Sequence, residues 1–215
     1  MFPISDVIPS RSKPVVTVVL IAINTLVFFY ELQLDAFQMH EFARTFGVVP
    51  AEVSWVALLT GLFVHDGWLQ FVANMICLWI FGDNLEDAAG HAGFLLFYLA
   101  SGLGGTLVHV LLYGGSTAPL VGASAAVAAV MAAYFVLYPR SQVLTALIVP
   151  FRLHVIEVPA IFLPGIWLVL QLVSRMSSSR TDAVDLGLAF TPHVTGAVLG
   201  TMAGLVLRRR QRIWD

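Results

Sequence analysis

Hydrophobic residues occur in long runs separated by short polar stretches, a pattern that predicts a bundle of membrane-spanning helices. Each helical span takes roughly 20 residues, and six runs approach or reach that length. Two other apolar stretches, residues 55–64 and 143–149, are too short to cross alone, and we expect the first to lie in the interface or to re-enter. The predicted fold is therefore an all-α bundle of six transmembrane helices, with spans at residues 14–30, 68–81, 94–113, 122–138, 158–173 and 191–207.

Composition supports a membrane protein. Of the 215 residues, 59% are hydrophobic and 11% are charged, and the mean hydropathy is +0.87. Since a soluble domain carries roughly 25% charged residues, this chain cannot cover a water-facing surface and needs the lipid bilayer as its partner. No segment remains for a separate soluble domain. The predicted division is an N-terminal segment at 1–13, a six-span membrane domain at 14–207 and a basic tail at 208–215.

Other compositional features narrow the function classes. The single cysteine, Cys77, excludes an intrachain disulfide framework. Basic residues form no face with interleaved aromatic residues, so we expect no nucleic-acid partner. The first apolar run has no clear cleavage site after it, and we interpret it as a retained span rather than a removed signal peptide.

Basic residues predict the orientation. An even number of spans puts both termini on one side of the membrane. Eight of the eleven Lys and Arg residues then share that side, which the positive-inside rule assigns to the cytoplasm. A seventh span at residues 143–151 would move the C-terminal arginines outside, so we reject it. Both termini are therefore predicted to be cytoplasmic.

Four polar residues enter the membrane at a similar depth. The second, fourth and sixth spans all run from the outer face inward, and each carries polar residues soon after it begins: Gln70 and Asn74, then Ser124, then His193. Gln70 and Asn74 are four residues apart, so they share one helical face. Each residue alone has an ordinary structural role in a membrane helix. Because polar groups inside a membrane are costly, their common depth favours a functional site.

The residue types in this cluster suit hydrolysis. A serine hydroxyl needs an adjacent base to act as a nucleophile, and histidine is the usual one. At about 17 residues, or roughly 25 Å, the fourth span is shorter than a hydrocarbon core of about 30 Å. Ser124 should therefore lie below the outer surface beside a water-filled cavity. The free N–H groups at Ser124, with the amides of Asn74 and Gln70, would stabilise a developing oxyanion.

Four short patterns along the chain also occur together in one protein family. They are Gly122-Ala123-Ser124, His193 followed by Gly196, Gln70 with Asn74, and Glu86 with Gly90 and Phe94. From its first span to its last, the chain resembles the rhomboid intramembrane serine proteases of the six-span bacterial type.

The resemblance implies a role for each of these residues. Ser124 would be the nucleophile and His193 the general base, with an oxyanion hole formed by Asn74, Gln70 and the Ser124 backbone N–H. No metal or cofactor is implied. The substrates would be transmembrane proteins, cleaved in or near the bilayer through an acyl-enzyme, and the location would be a bacterial inner membrane. Structural roles would fall to Gly122, Glu86, Gly90 and Gly196.

Two residues depart from the family pattern. Gln70 replaces a histidine, although its amide can still donate a hydrogen bond. Ala125 replaces the glycine after the nucleophile, and we expect its methyl group to press on Gly196 and lengthen the contact between Ser124 and His193.

These departures keep a second interpretation open: a catalytically weak or inactive rhomboid-like protein that binds membrane clients. A small transporter or channel is a third, and it predicts no pairing of Ser124 with His193.

Two further expectations concern residues near the second span. We interpret His65 as structural. Asp83, Glu86 and Asp87 are expected to lie in a tight turn between two spans, where Glu86 would bind backbone amides. The remaining histidines lack metal-ligand spacing, so no metal site is predicted.

Overall fold

The computed structural model describes residues 2–149, 152–177 and 185–211, and this part of the chain is mostly helical. Two segments, His91–Leu112 and Phe190–Arg209, are long and apolar enough to cross a membrane, and three shorter apolar helices accompany them. The helices are α1 (Val15–Glu31), α2 (Ala36–Phe46), α3 (Trp55–Thr60), α4 (Trp68–Ala89), α5 (His91–Leu112), α6 (Ser124–Leu137), α7 (Phe162–Ser177) and α8 (Asp185–Gln211), with a short 3-10 helix at Pro50–Glu52.

The second predicted span is longer than expected. Helix α4 continues to Ala89, so Asp83, Glu86 and Asp87 lie in its last turns and the predicted tight turn is wrong. The connection to α5 is reduced to Gly90, whose φ of +73° is one that glycine adopts readily. One residue with this backbone conformation is enough to separate the two helices.

Glu86 links α4 to the start of α1. Its fully buried carboxylate accepts hydrogen bonds from the backbone N–H groups of Val16 and Thr17, at 2.9 and 2.8 Å, and from the Thr17 hydroxyl at 2.7 Å. The predicted bond to backbone amides is therefore confirmed, and those amides belong to the first turn of α1. A carboxylate there is also stabilised by the positive end of the helix dipole.

The fifth predicted span begins too early. Val158 and Pro159 belong to a strand, and α7 starts at Phe162. Pro164 consequently falls in the first helical turn, where a backbone N–H has no intrahelical acceptor to lose.

A small sheet corrects the all-helical prediction. Strands β1 (Phe2–Asp6), β2 (Gln142–Val149) and β3 (Arg152–Pro159) form an antiparallel sheet in that order. Phe2 pairs with Ala146, and Gln142 pairs with Pro159. Residues 143–149 of the stretch that we rejected as a seventh span thus belong to a strand, in keeping with their β-branched side chains.

Asp6 attaches this sheet to the helices. Its buried carboxylate accepts hydrogen bonds from the Tyr134 hydroxyl on α6 and from Asn84 Nδ2 on α4, the latter at 2.9 Å. Burial raises the pKa of Asp6 above its usual value, although these hydrogen bonds oppose the shift. The N-terminal strand is thereby tied to the helix that begins at Ser124.

Helix α6 lies at the centre of the bundle, buried along nearly its whole length. Small residues let its neighbours approach closely. A Cβ atom added at Gly196 or Gly200 of α8 would overlap the carbonyl oxygen of Ala125 or Ala129, respectively. The two helices therefore pack backbone against backbone, as small residues allow in membrane proteins.

Candidate active site

The segment entering α6 is shaped by Gly122. Its backbone N–H donates to the carbonyl of Gly61 at 2.8 Å, and its φ is +117°. An added Cβ would lie 2.8 Å from Gln70 Nε2. Glycine is favoured at this position for two reasons: it adopts a left-handed conformation readily, and it leaves room for the Gln70 side chain.

Ser124 and His193 are hydrogen-bonded. The distance between Ser124 Oγ and His193 Nε2 is 2.8 Å, and both residues are buried. The imidazole lies edge-to-face with Trp167, at 5.1 Å between ring centroids. The 2.8 Å between Ser124 Oγ and His193 Nε2 is within the range for direct proton transfer, so the pair can act as nucleophile and general base.

Ala125 does not disturb this pair, contrary to our expectation. Its carbonyl group faces Gly196, whereas its methyl group faces Gly105 of α5, where an added Cβ would lie 2.7 Å from Ala125 Cβ. With Ser124 and His193 only 2.8 Å apart, the predicted lengthening is wrong. Gly105 provides the space that the Ala125 methyl group needs.

Substitutions at positions 105 and 125 should show that Gly105 compensates for the methyl group of Ala125. We expect Gly105→Ala to destabilise the protein by about 1–3 kcal/mol, because two Cβ atoms would overlap. Adding Ala125→Gly should restore part of the loss, since the Pro192 carbonyl oxygen, 3.0 Å from the new Cβ, would still be crowded. Thermal unfolding in detergent measures both effects.

Gly93→Ala is the matched control on the same helix, because its added Cβ would have one neighbour, at 3.6 Å. If the double variant is no more stable than Gly105→Ala alone, the Ala125 methyl group is not what Gly105 accommodates.

Gln70 joins the start of α4 to the segment before Ser124. Its Oε1 accepts a hydrogen bond from the Asp66 backbone N–H at 2.7 Å, and its Nε2 lies 3.4 Å from the Val121 carbonyl oxygen. The second bond is long, so the amide N–H groups of Gln70 are only weakly engaged. The structure thus places this predicted donor beside Gly122, two residues from Ser124.

Asn74 is fully buried and contacts helix α7, a helix that we did not predict to reach the site. Its Oδ1 accepts hydrogen bonds from Trp167 Nε1 at 3.0 Å and from Gln171 Nε2 at 2.9 Å. The sequence feature that could have identified Trp167 and Gln171 is their spacing, since residues four positions apart share a helical face. Three polar side chains on two helices therefore form one buried cluster.

His65 completes this cluster from the loop before α4. Its Nδ1 lies 3.2 Å from the Phe63 carbonyl oxygen, and its Nε2 lies 3.5 Å from Asn74 Nδ2. Burial lowers the pKa of His65 to about 4, so the ring is neutral at physiological pH. These contacts agree with the structural role predicted for this residue.

Metal-binding geometry is not found in the parts of the chain that the structure describes. Within them, no three His, Cys, Asp or Glu side chains are grouped so that they could hold an ion.

Comparison with known proteins finds similarity to one family. Residues 52–210 match the family model of the Rhomboid domain. Rhomboid protease GluP of Bacillus subtilis is 32% identical over 122 residues, which cover 54% of this chain and 23% of that protein. The mitochondrial Rhomboid protein 1 of Saccharomyces cerevisiae is 26% identical over 173 residues, covering 74% and 45%. The chain thus spans about a quarter to a half of the length of these relatives.

Proposed function

This chain belongs to the rhomboid family of integral membrane proteins, and we propose that it is a serine endopeptidase that cleaves transmembrane proteins in or near the bilayer. The observation that carries the proposal is the 2.8 Å hydrogen bond between Ser124 and His193 inside the bundle. One relative, Rhomboid protease GluP, is named as a protease, which supports the same chemistry.

In the proposed reaction, Ser124 Oγ attacks the scissile carbonyl carbon while His193 Nε2 accepts the hydroxyl proton. The same nitrogen then gives this proton to the leaving amine, which leaves an acyl-enzyme on Ser124. Water, deprotonated by His193, then attacks the acyl carbon; the ester bond to Ser124 Oγ breaks, the carboxylic acid product leaves and His193 returns the proton to Oγ. The oxyanion is stabilised in our proposal by the Ser124 backbone N–H and by the side-chain amides of Asn74 and Gln70.

Membership of the rhomboid family also supports a proposal for how the chain crosses the membrane. We propose six spans, formed by α1, α4, α5, α6, α7 and α8, as the membrane domain of residues 14–207. Both termini would be cytoplasmic, because Arg11, Lys13 and the arginines after residue 207 would then share one side. Arg208 and Arg209 continue α8, and residues 212–215 of the predicted tail lie outside the described residues. A bacterial inner membrane is our proposed location.

The rival proposal, an inactive protein that binds membrane clients, rested on two departures from the family pattern. Ala125 no longer supports it, because Gly105 accommodates the methyl group. Gln70 remains a departure, but its amide keeps donor capacity beside Gly122. Catalysis is therefore the proposal that the geometry favours.

Labelling with a fluorophosphonate tests this function directly. We expect the protein purified in detergent to be labelled on Ser124 and to cleave a single-span membrane substrate, and we expect Ser124→Ala to lose both reactions. Ser101→Ala, which alters a buried serine of α5, is the matched control and should keep both. If folded wild-type protein is neither labelled nor able to cleave, the proposed function is wrong.

A further inference from the structure

The orientation of the Asn74 amide is fixed from its oxygen end. An indole N–H can only donate, so the Asn74 atom that lies 3.0 Å from Trp167 Nε1 must be the acceptor, Oδ1. Gln171 Nε2 lies 2.9 Å from the same oxygen and adds a second donor. Both donors come from α7, so this helix determines which way the amide oxygen points.

The nitrogen end faces His65 across a longer and weaker contact, which agrees with the same orientation. A carbonyl oxygen can only accept, so the His65 nitrogen that lies 3.2 Å from Phe63 O is the protonated one, Nδ1. In the neutral ring, Nε2 is then an acceptor, and it lies 3.5 Å from Asn74 Nδ2. If the Asn74 amide were rotated by half a turn, donors would face donors at Trp167 and acceptors would face each other at His65.

One of the two N–H groups of the Asn74 amide is not used by His65. A carboxamide nitrogen carries two hydrogens, and His65 takes one of them. We propose that Trp167 and Gln171 are positioning residues, which hold the Asn74 amide so that its second N–H is available to the oxyanion. This inference rests on the proposed function, because it assigns to α7 the control of an oxyanion donor.

Because the three side chains are buried, the orientation of the Asn74 amide depends on its two hydrogen bonds to α7. Asn74, Trp167 and Gln171 are each at most 4% exposed, so none can exchange its partner for bulk water. When α7 keeps its place against α4, both bonds to Oδ1 hold the amide. If α7 moves away, both bonds are lost together and the amide is free to rotate. The position of α7 would therefore set the rate of the chemical step.

Two conservative variants test this role. Trp167→Phe removes the indole N–H but keeps an aromatic ring against His193, and Gln171→Leu removes the second donor. Loss of one oxyanion donor lowers kcat by roughly 100- to 1,000-fold, so we expect misorientation to lower kcat by about 10-fold or more. KM for a single-span substrate should stay within about twofold, because interactions made only in the transition state affect kcat.

Matched controls lie elsewhere in the fold. Trp79→Phe removes an indole N–H that donates to the Ile4 carbonyl oxygen at 3.1 Å, near the N-terminal strand. Gln33→Leu removes an exposed side-chain bond to the Phe29 carbonyl oxygen at 3.2 Å. Both variants should keep the wild-type kcat.

The deciding measurement repeats each α7 variant in an Asn74→Ala background. If the α7 residues act through Asn74, they should cause no further fall in kcat there, whereas independent sites add. An equal fall in both backgrounds, a change in KM alone, or faster cleavage by Trp167→Phe would overturn the positioning role. Wild-type protein without a Ser124-dependent reaction would instead defeat the proposed function, so the two failures can be told apart.

Discussion

His193→Ala is expected to lower the rate of Ser124 acylation by about 10⁴- to 10⁶-fold, because loss of the general base alone can remove most of a serine hydrolase's catalysis. Without the imidazole, the acceptor that lies 2.8 Å from Oγ and takes its proton during the attack is lost. The serine then reacts as an ordinary alcohol, which is a weak nucleophile at neutral pH. The rate of fluorophosphonate labelling measures this loss without requiring a known substrate.

The controls for this experiment use the same chain. His40→Ala alters an exposed histidine of α2 and should not change the labelling rate. The double variant Ser124→Ala/His193→Ala should, like Ser124→Ala alone, show no labelling, which establishes that any slow labelling of His193→Ala is on Ser124. If His193→Ala keeps a tenth of the wild-type rate while Ser124→Ala keeps none, another group is the base.

Apolar runs predicted the helices well because lipid requires every backbone group to be bonded within a helix. The sheet could not be predicted in the same way. Strand β1 pairs with residues more than a hundred positions away, at Phe2 with Ala146, and no local periodicity encodes that partner. The length of α4 was missed because charged residues at Asp83 and Glu86 suggested a loop, whereas Glu86 is buried against the start of α1.

Depth along each span brought Ser124 and His193 together in the prediction, because depth follows from the direction of each helix. Rotation about the helix axis does not follow from sequence, and for this reason the Ala125 methyl group was assigned to Gly196 rather than Gly105. Helix α7 was overlooked since it runs in the opposite direction to α4 in our proposed topology. Its two residues that contact Asn74, Trp167 and Gln171, therefore lie in the middle of the helix and not at its entrance.

Gly200→Ala should have the largest effect on the fold itself. An added Cβ would lie 2.6 Å from Ala129 Cα and 2.7 Å from Ala129 C, besides overlapping the carbonyl oxygen. These are backbone atoms of the central helix, so no side-chain rotation relieves the contact and α8 must move away from α6. We expect a loss at or above the upper end of the range of about 1–3 kcal/mol found for overpacked cores.

The same displacement should slow the reaction in molecules that remain folded. Gly200 lies two helical turns after His193, so the face that carries the imidazole would move with it. A misplacement of about 1 Å can lower a rate by roughly 100-fold, and the labelling rate per folded molecule should fall accordingly.

Gly165→Ala on α7 provides the comparison, because an added Cβ there has no neighbour within 4 Å among the described residues and alanine favours a helix. It should therefore be as stable as the wild type, or slightly more stable. If Gly200→Ala also keeps the wild-type melting temperature and labelling rate, the contact between α6 and α8 is not what holds His193 against Ser124. If stability falls but the rate per folded molecule does not, α8 has adjusted beyond Gly200, and Ser124 and His193 are held together by contacts nearer Gly196.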